Sequence, residues 1–328
     1  MSGQSPRFLA ITGPTASGKT DLSLAVAERL RVEVISMDSR QVYRGMDIGT
    51  DKVGSAARGA VPHHGLDLVA PDERYSAGRF ARDVRRWIPE IAERGSLPLL
   101  VGGTGFFLRA VIDPIFAEPA LDPDRLEALR GYLGRLDRGL MQRWVQRLDP
   151  TRAPVAVEGG PQRMGRTLEV ALLSGRPLSW WHSEAPAEAE GVAGLIVVLE
   201  LSREEMDRRI TDRVAGMVER GLIEEVRGLL DAGYTLASPG MSGTGYREVA
   251  AYLEGELTLD DAVAKIGHNT RKYARRQLTW FRHQLPESAV LLDATEPVVF
   301  QRDQVLAAWE ASGGVMPWRD AINQEVGT

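Results

Sequence analysis

The 328-residue chain contains no cysteine. That excludes a disulfide framework, a thiolate zinc site and a cysteine nucleophile, and nothing in it calls for an oxidising compartment. Long apolar runs are missing as well: none approaches the roughly 18 residues needed to span a bilayer. Phe8 to Ile11, after the polar segment Met1 to Arg7, is too short for the apolar region of a signal peptide. A cytoplasmic protein with no membrane association is expected. There is no internal repeat and no low-complexity tract. Nor is there a large net charge: 40 Lys+Arg against 45 Asp+Glu leave −5, too little to point to a partner.

Hydrophobic residues make 43% of the chain and charged residues 26%. This is ordinary for a globular protein, and the length suits one large domain or two smaller ones. The distribution of charge says more than its sum. From Lys265 to His283 there are six Lys/Arg and no acid, and a ligand responds to that local field.

Residues 7–12, apolar from Phe8 to Ile11, read as a short buried strand, 13–18 as a turn and 19–30 as a helix packed on a sheet. Further strands are expected at 32–36 and 97–101, and helices at 81–94, ended or interrupted near Pro89, and at 106–111. Such alternation implies a parallel sheet covered on both faces. Beyond Phe116 the character changes to Arg-rich helices over 122–173. A strand returns at 195–201, followed by helices at 203–220, 222–232, 245–255 and 259–284 and a last strand at 290–293. The expected fold is α/β. A core with a mostly parallel sheet spans 1–116 and 191–311, a mostly helical insertion 117–190, and a poorly ordered tail 312–328.

Gly13, Pro14, Thr15, Ala16, Ser17, Gly18, Lys19 and Thr20 fit G-x-x-x-x-G-K-[ST] between a strand and a helix. Its glycines let backbone N–H groups turn inward around an anion, and the helix N-terminus adds partial positive charge. Lys19 can reach terminal phosphate oxygens, and the Thr20 hydroxyl can ligate Mg²⁺. The loop implies a bound di- or triphosphate without saying what carries it, and marks the core as P-loop NTPase-like.

Asp38 follows the second strand, where carboxyl ends face the ligand crevice of a parallel sheet. It suits a general base or metal ligand, and equally a helix cap. Gly102-Gly103-Thr104-Gly105 offers close backbone approach and a hydroxyl at another strand end, or simply a turn. On the basic helix, Arg271, Arg275 and Arg282 share one face, with Lys272, Arg276 and Thr279 beside them and Tyr273, Gln277 and Trp280 as a neighbouring stripe. That pattern serves either RNA phosphates and bases or a solvated face over buried aromatics.

In order along the chain, these motifs resemble the tRNA dimethylallyltransferase family. The resemblance rests on residues 13–20, Asp38-Ser39-Arg40-Gln41-Val42-Tyr43-Arg44, Asp47-Ile48-Gly49-Thr50 and Pro62-His63-His64. It continues through Tyr75-Ser76, the 102–105 loop, Gln162-Arg163, Leu168-Glu169-Val170, Gly245-Tyr246-Arg247-Glu248 and residues 269–280. It covers about residues 8 to 285.

The resemblance implies transfer of a dimethylallyl group from dimethylallyl diphosphate to N6 of the adenosine just 3′ of the anticodon, tRNA position 37. It implies Mg²⁺ on Thr20, with Lys19 and Arg213 on the diphosphate, Asp38 as the base that takes the N6 proton, and Thr104 holding adenine or the Asp38 turn. It also implies RNA contacts by Asp38, Ser39, Arg40, Gln41, Thr104, Gln162, Arg163, Met164, Gly165, Arg166, Gly245, Tyr246, Arg247, Arg271, Arg275 and Arg276. The partners expected are the anticodon stem-loop and dimethylallyl diphosphate, and a monomer is expected. Two other readings share the phosphate loop: a small-molecule kinase using ATP, and a non-catalytic RNA-binding protein. The kinase gives no account of the acid-free basic helix at 265–283.

Overall fold

The computed structural model of the chain describes residues 7–117 and 119–318. It forms two compact units, one from the described residues up to Ile112 and from Val192 onward, the other Asp113–Gly191. The first unit opens with β1 (Phe8–Thr12), α1 (Lys19–Arg29), β2 (Val32–Ser36), α2 (Ser55–Ala60), β3 (His63–His64), α3 (Ala77–Glu93), β4 (Leu97–Val101) and α4 (Gly105–Ile112). The second unit has a two-stranded antiparallel ribbon, β5 (Ile115–Phe116) with β6 (Ala187–Ala189), joining the two ends of its segment. Between those strands lie α5 (Pro123–Leu133), α6 (Arg138–Leu148), α7 (Ala153–Glu158), α8 (Pro161–Ser174) and α9 (Leu178–Ser183). They close on Leu133, Met141, Val145, Ala156, Met164 and Leu168. The first unit resumes with β7 (Gly194–Glu200), α10 (Arg203–Glu219), α11 (Leu222–Asp231), α12 (Tyr246–Leu253), α13 (Leu259–Gln284), β8 (Val290–Asp293) and α14 (Val298–Ala311).

Six strands form one sheet in the order β3-β2-β4-β1-β7-β8, every pairing parallel. Leu9 stands opposite both Leu99 and Leu195, and Val34 opposite Leu99. β1 and β2 are buried at all five positions, as strands covered on both faces require. Leu22 and Val26 of α1 and Val305, Leu306 and Trp309 of α14 pack on Leu9, Ile11, Leu99, Val197 and Leu199. A second cluster joins α10–α13 to Val42, Tyr43 and Met46 through Met206, Ile210, Val214, Leu222, Val249, Ile266 and Ala274. Because the strands are parallel, the turns after β1, β2 and β4 leave one edge of the sheet. Because β4 lies between β2 and β1, the 102–105 turn emerges between the other two.

Helix α13 is written for its length. The Thr258 hydroxyl accepts from Asp261 N–H at 3.1 Å. Asp260 and Asp261 lie in its first turn, and Arg282 and His283 in its last, each sign where the helix dipole favours it. Helix α3 differs from its expected form: it starts at Ala77, capped by Ser76, and runs unbroken through Pro89. The proline removes one N–H donor, but Phe80, Val84, Trp87, Ile88 and Ile91, on both sides of it, are buried and hold the helix against the fold. Helices α2 and α14 carry no sequence expectation. The start of the expected tail is fastened. Arg31 N–H donates to the Pro317 carbonyl at 2.7 Å, and Trp309 Nε1–H to that of Val315 at 2.8 Å. Residues 319–328 lie outside the described residues.

One buried acid stands in the sheet. The Glu33 carboxylate receives Arg94 Nε–H and Nη2–H at 2.8 and 2.7 Å, and His64 Nε2 lies 2.8 Å from it. The Arg94 bonds hold its pKa below the usual 4.5 against the opposing effect of burial, and His64 helps. A depressed native pKa contributes stability that is complete above about 4.5 and is lost as pH falls through the native value. Glu33→Gln is expected to cost about 1–3 kcal/mol at neutral pH and to flatten the acid limb of stability. Urea midpoints from pH 3 to 7 measure both.

Candidate active site

The 13–18 turn takes conformations that glycine supplies and one that it does not. Gly13 and Gly18 have φ of 147° and 87°, and Ala16, which has a side chain, has φ of 64°. A Cβ on Gly13 would lie 2.7 Å from the Leu199 carbonyl oxygen. Lys19 folds back on the turn, its Nζ donating to the Pro14 carbonyl at 2.6 Å and to Ser17 Oγ at 3.4 Å. Burial lowers its pKa to about 7; Arg213 adds to that and Asp38 opposes it.

The turn lines a cavity of about 820 Å³. Arg209, Arg213 and Arg220 of the α10 segment reach the same cavity; their i, i+4, i+11 spacing puts them on one helix face. Arg209 lies beside Gly18, where an added Cβ would be 3.8 Å from its Nη1. It also donates to Glu205 at 2.6 Å and to the Ala294 carbonyl at 3.0 Å. Asp51 receives Arg220 at 2.8 Å and stands 3.6 Å from Arg213. The wall carries five Lys/Arg (Lys19, Lys52, Arg209, Arg213 and Arg220) against four acids (Asp21, Asp38, Asp51 and Glu296), so what favours a polyanion is the placement of Lys19 and Arg209 against the 13–18 turn.

A second cavity of about 450 Å³ adjoins it, lined by Arg40, Arg247, Lys272 and Arg276 among others. Thr15, Asp38, Thr50, Arg213 and Tyr273 belong to both walls. Asp38 is therefore at the junction. It caps no helix: its Oδ1 accepts from Arg40 N–H at 2.7 Å in a turn of its own, and among the described residues Oδ2 has no hydrogen-bond partner. The Thr104 hydroxyl accepts from Ser39 N–H at 3.1 Å, so Thr104 supports the Asp38 turn.

The stripe Tyr273, Gln277, Trp280 meets the 102–105 turn residue by residue. Tyr273 lies beside Thr104, Gln277 Nε2 donates to the Gly103 carbonyl at 2.7 Å, and Trp280 covers Gly105. A Cβ on Gly105 would be 2.3 Å from the Trp280 ring, and one on Gly102 2.1 Å from the Met37 carbonyl oxygen. These glycines are demanded by close approach. Burial pushes the Tyr273 phenol up to about 12, with Asp38 adding to the rise, so it stays protonated at neutral pH.

The second cavity's wall is set by Glu248, which receives Gly245 N–H at 2.8 Å and Asn269 Nδ2–H at 2.7 Å. Arg40 braces it from the other side, donating to the Pro239 carbonyl at 2.8 Å and to Ser242 Oγ at 3.1 Å. Ser39, Gly245, Tyr246 and Arg247 also line this cavity, although the Tyr246 hydroxyl is buried on Glu225 at 2.7 Å.

Of the residues expected at RNA, Arg271, Arg275, Gln41 and Met164 have partners within the protein. Arg271 and Arg275 line neither cavity and stand 3.8 and 3.5 Å from Asp207 of α10; the acid missing from their stretch of α13 is on the neighbouring helix. The Gln41 amide braces a loop, Nε2 donating to the Thr50 carbonyl at 3.1 Å and Oε1 accepting from Ser36 at 2.7 Å. Met164 is buried in the second unit, whose core needs that face of α8, whereas Gln162 and Arg163 are exposed and Gly165 and Arg166 half-buried. Sequence reasoning overlooked Arg220 and the inward role of Gln277. The α10 arginine spacing could have revealed the former; nothing local marks the latter.

A model described as IPP transferase matches residues 41–284. The tRNA dimethylallyltransferase of Carboxydothermus hydrogenoformans is 40% identical over 279 residues, 85% of this chain and 89% of the relative. That of Roseiflexus sp. is 40% identical over 303 residues, 92% and 98%. The structure is similar to a Bacillus halodurans tRNA isopentenylpyrophosphate transferase (TM-score 0.67, 34% identity, 94% and 98% covered). It is also similar to a eukaryotic dimethylallyltransferase acting on tRNA (TM-score 0.78, 27% identity, 95% and 81% covered).

A lysine near pH 7 must take up a proton when an anion binds above that pH. Inorganic pyrophosphate binding at pH 8, followed by calorimetry in buffers of different ionisation enthalpy, is expected to show more proton uptake in the native protein than in Lys19→Met. Equal uptake would remove the lysine from the site.

Proposed function

The chain belongs to the IPP transferase family, and on that premise we infer that it is an enzyme transferring the dimethylallyl group of dimethylallyl diphosphate to an adenosine of tRNA. The observation that carries the inference is the junction at Asp38 between a cavity built for a polyanion and a second one with a cationic wall. Two substrates entering from the two cavities would meet at one carboxylate.

In this reading the 13–18 turn, Lys19, Arg209 and Arg213 hold the diphosphate. Among the described residues no three His, Cys, Asp or Glu stand together as a metal cage. The single hydroxyl of Thr20, at the start of α1 and on the same cavity wall, fits Mg²⁺ that takes its other oxygens from phosphate and water. Bound there, the metal would neutralise charge on the departing diphosphate.

The allylic C–O bond breaks with its electron pair going to the diphosphate, where the loop N–H groups and cations stabilise the developing charge. The adenine N6 lone pair forms the new C–N bond. N6 is a weak nucleophile, and its proton passes to Asp38, whose turn Thr104 and Ser39 hold. The base must leave its stack, at a cost of a few kcal/mol. Arg40, Arg247, Lys272 and Arg276 would offset that cost on the RNA backbone, with Gln162, Arg163 and Arg166 of the second unit as further contacts. The adenosine 3′ of the anticodon is the proposed target and the cytoplasm the proposed compartment. Among the described residues no helix is long and apolar enough to cross a membrane. A small-molecule kinase would use the phosphate turn but leave the second cavity's cations without a task.

Unmodified tRNA incubated with the protein, Mg²⁺ and dimethylallyl diphosphate is expected to gain one dimethylallyl unit on a single adenosine by mass spectrometry. No gain across a full tRNA pool, with ATP turnover on a small molecule instead, would reject the transferase. Asp38→Ala is expected to slow single-turnover transfer about 10²–10⁴-fold while tRNA still binds. A loss of tRNA binding with chemistry otherwise intact would reject the base assignment.

A further inference from the structure

Gln277 sits on α13 with its side chain turned away from solvent; the residue is 7% exposed. Its amide is used at both ends. Oε1 accepts the Thr15 N–H at 2.9 Å, and Nε2 donates to the Gly103 carbonyl at 2.7 Å. Thr15 belongs to the turn after β1 and Gly103 to the turn after β4. Those strands pair in parallel as far as Ile11 and Val101, and the Thr12 hydroxyl donates to the Gly102 carbonyl at 2.8 Å just beyond. Past that point no backbone ladder joins the two turns, and Gln277 supplies the next rung from outside the sheet. The fit is tight on the Gly103 side: a Cβ there would lie 2.3 Å from Nε2. On the other side the amide grips the residue just before Ala16, the non-glycine residue of the turn in the left-handed region, a conformation that persists only when its surroundings hold it.

We propose that Gln277 is a positioning residue for the diphosphate end of the site, acting through Thr15 and Gly103 to keep the phosphate turn in its anion-binding shape. The assignment is not what its position suggests, for its neighbours Lys272, Tyr273 and Arg276 line the second cavity. One helix thus presents cations to one substrate and, on its inner face, shapes the turn that holds the other. The identity of the two substrates rests on the function inferred above; the effect on the phosphate turn does not.

Gln277→Met keeps the length of the side chain and removes both hydrogen bonds. It is expected to weaken binding of inorganic pyrophosphate, measured by calorimetry, about tenfold. It should raise KM for dimethylallyl diphosphate by a similar factor and leave the Kd for tRNA within about twofold. A merely structural residue would lower Tm without this split. Gln277→Leu, which also removes both hydrogen bonds, is expected to give the same pattern and serves if the first variant does not fold. Pyrophosphate affinity equal to that of the native protein in either folded variant overturns the proposal, and so does an equal loss for tRNA. If the native protein transfers no dimethylallyl group, the inferred function fails, while the pyrophosphate comparison still decides the role of Gln277.

Discussion

Backbone N–H groups can surround an anion only if the chain holds them in a turn it would not adopt alone. Between Thr12 and Lys19 three residues have positive φ, one of them an alanine, and such conformations cost of order 1–3 kcal/mol each outside glycine. Much of the first unit is arranged around that turn. The Leu199 backbone closes on Gly13, Lys19 caps the Pro14 carbonyl, Gln277 holds Thr15, and Arg209 lies against Gly18. Three of these four come from distant parts of the chain, so the turn is a product of the whole α/β layer.

The second constraint is charge. A chain of net charge −5 presents polyanion sites by placing its acids selectively. Asp51 holds Arg213 and Arg220 at one wall, Asp207 faces Arg271 and Arg275, and Glu205 aligns Arg209. Of the arginines that line the cavities, Arg40, Arg209, Arg213 and Arg220 are each oriented by a partner. Such partnered guanidinium groups lose less freedom when they grip phosphate.

The fold was largely legible. Apolar runs at β1 and β4, each followed at once by a glycine-rich turn and a helical segment, point to a covered parallel sheet. Misreadings fell where a local signal was outvoted. Pro89 is a helix breaker by propensity, yet buried side chains on both sides carry α3 through it. Among site residues, those within one contiguous motif, from Gly13 to Thr20, were readable because the spacing itself is the geometry. The partners of Arg271 and Arg275 were not, because an acid 60 or more residues away in sequence leaves no mark near them.

What the sequence by itself determined is the phosphate turn, the run of cations in α13 and the order of motifs that relates the chain to its family. Each is a local pattern whose physical meaning survives without its surroundings. What only the tertiary structure decided is which face of α13 does what, and that Asp38 stands where two cavities meet. Those depend on the strand order β2-β4-β1, which sets the 102–105 turn between the phosphate turn and the Asp38 turn and lets one stripe of α13 reach it. Strand order comes from long-range packing between segments that carry no record of one another along the chain.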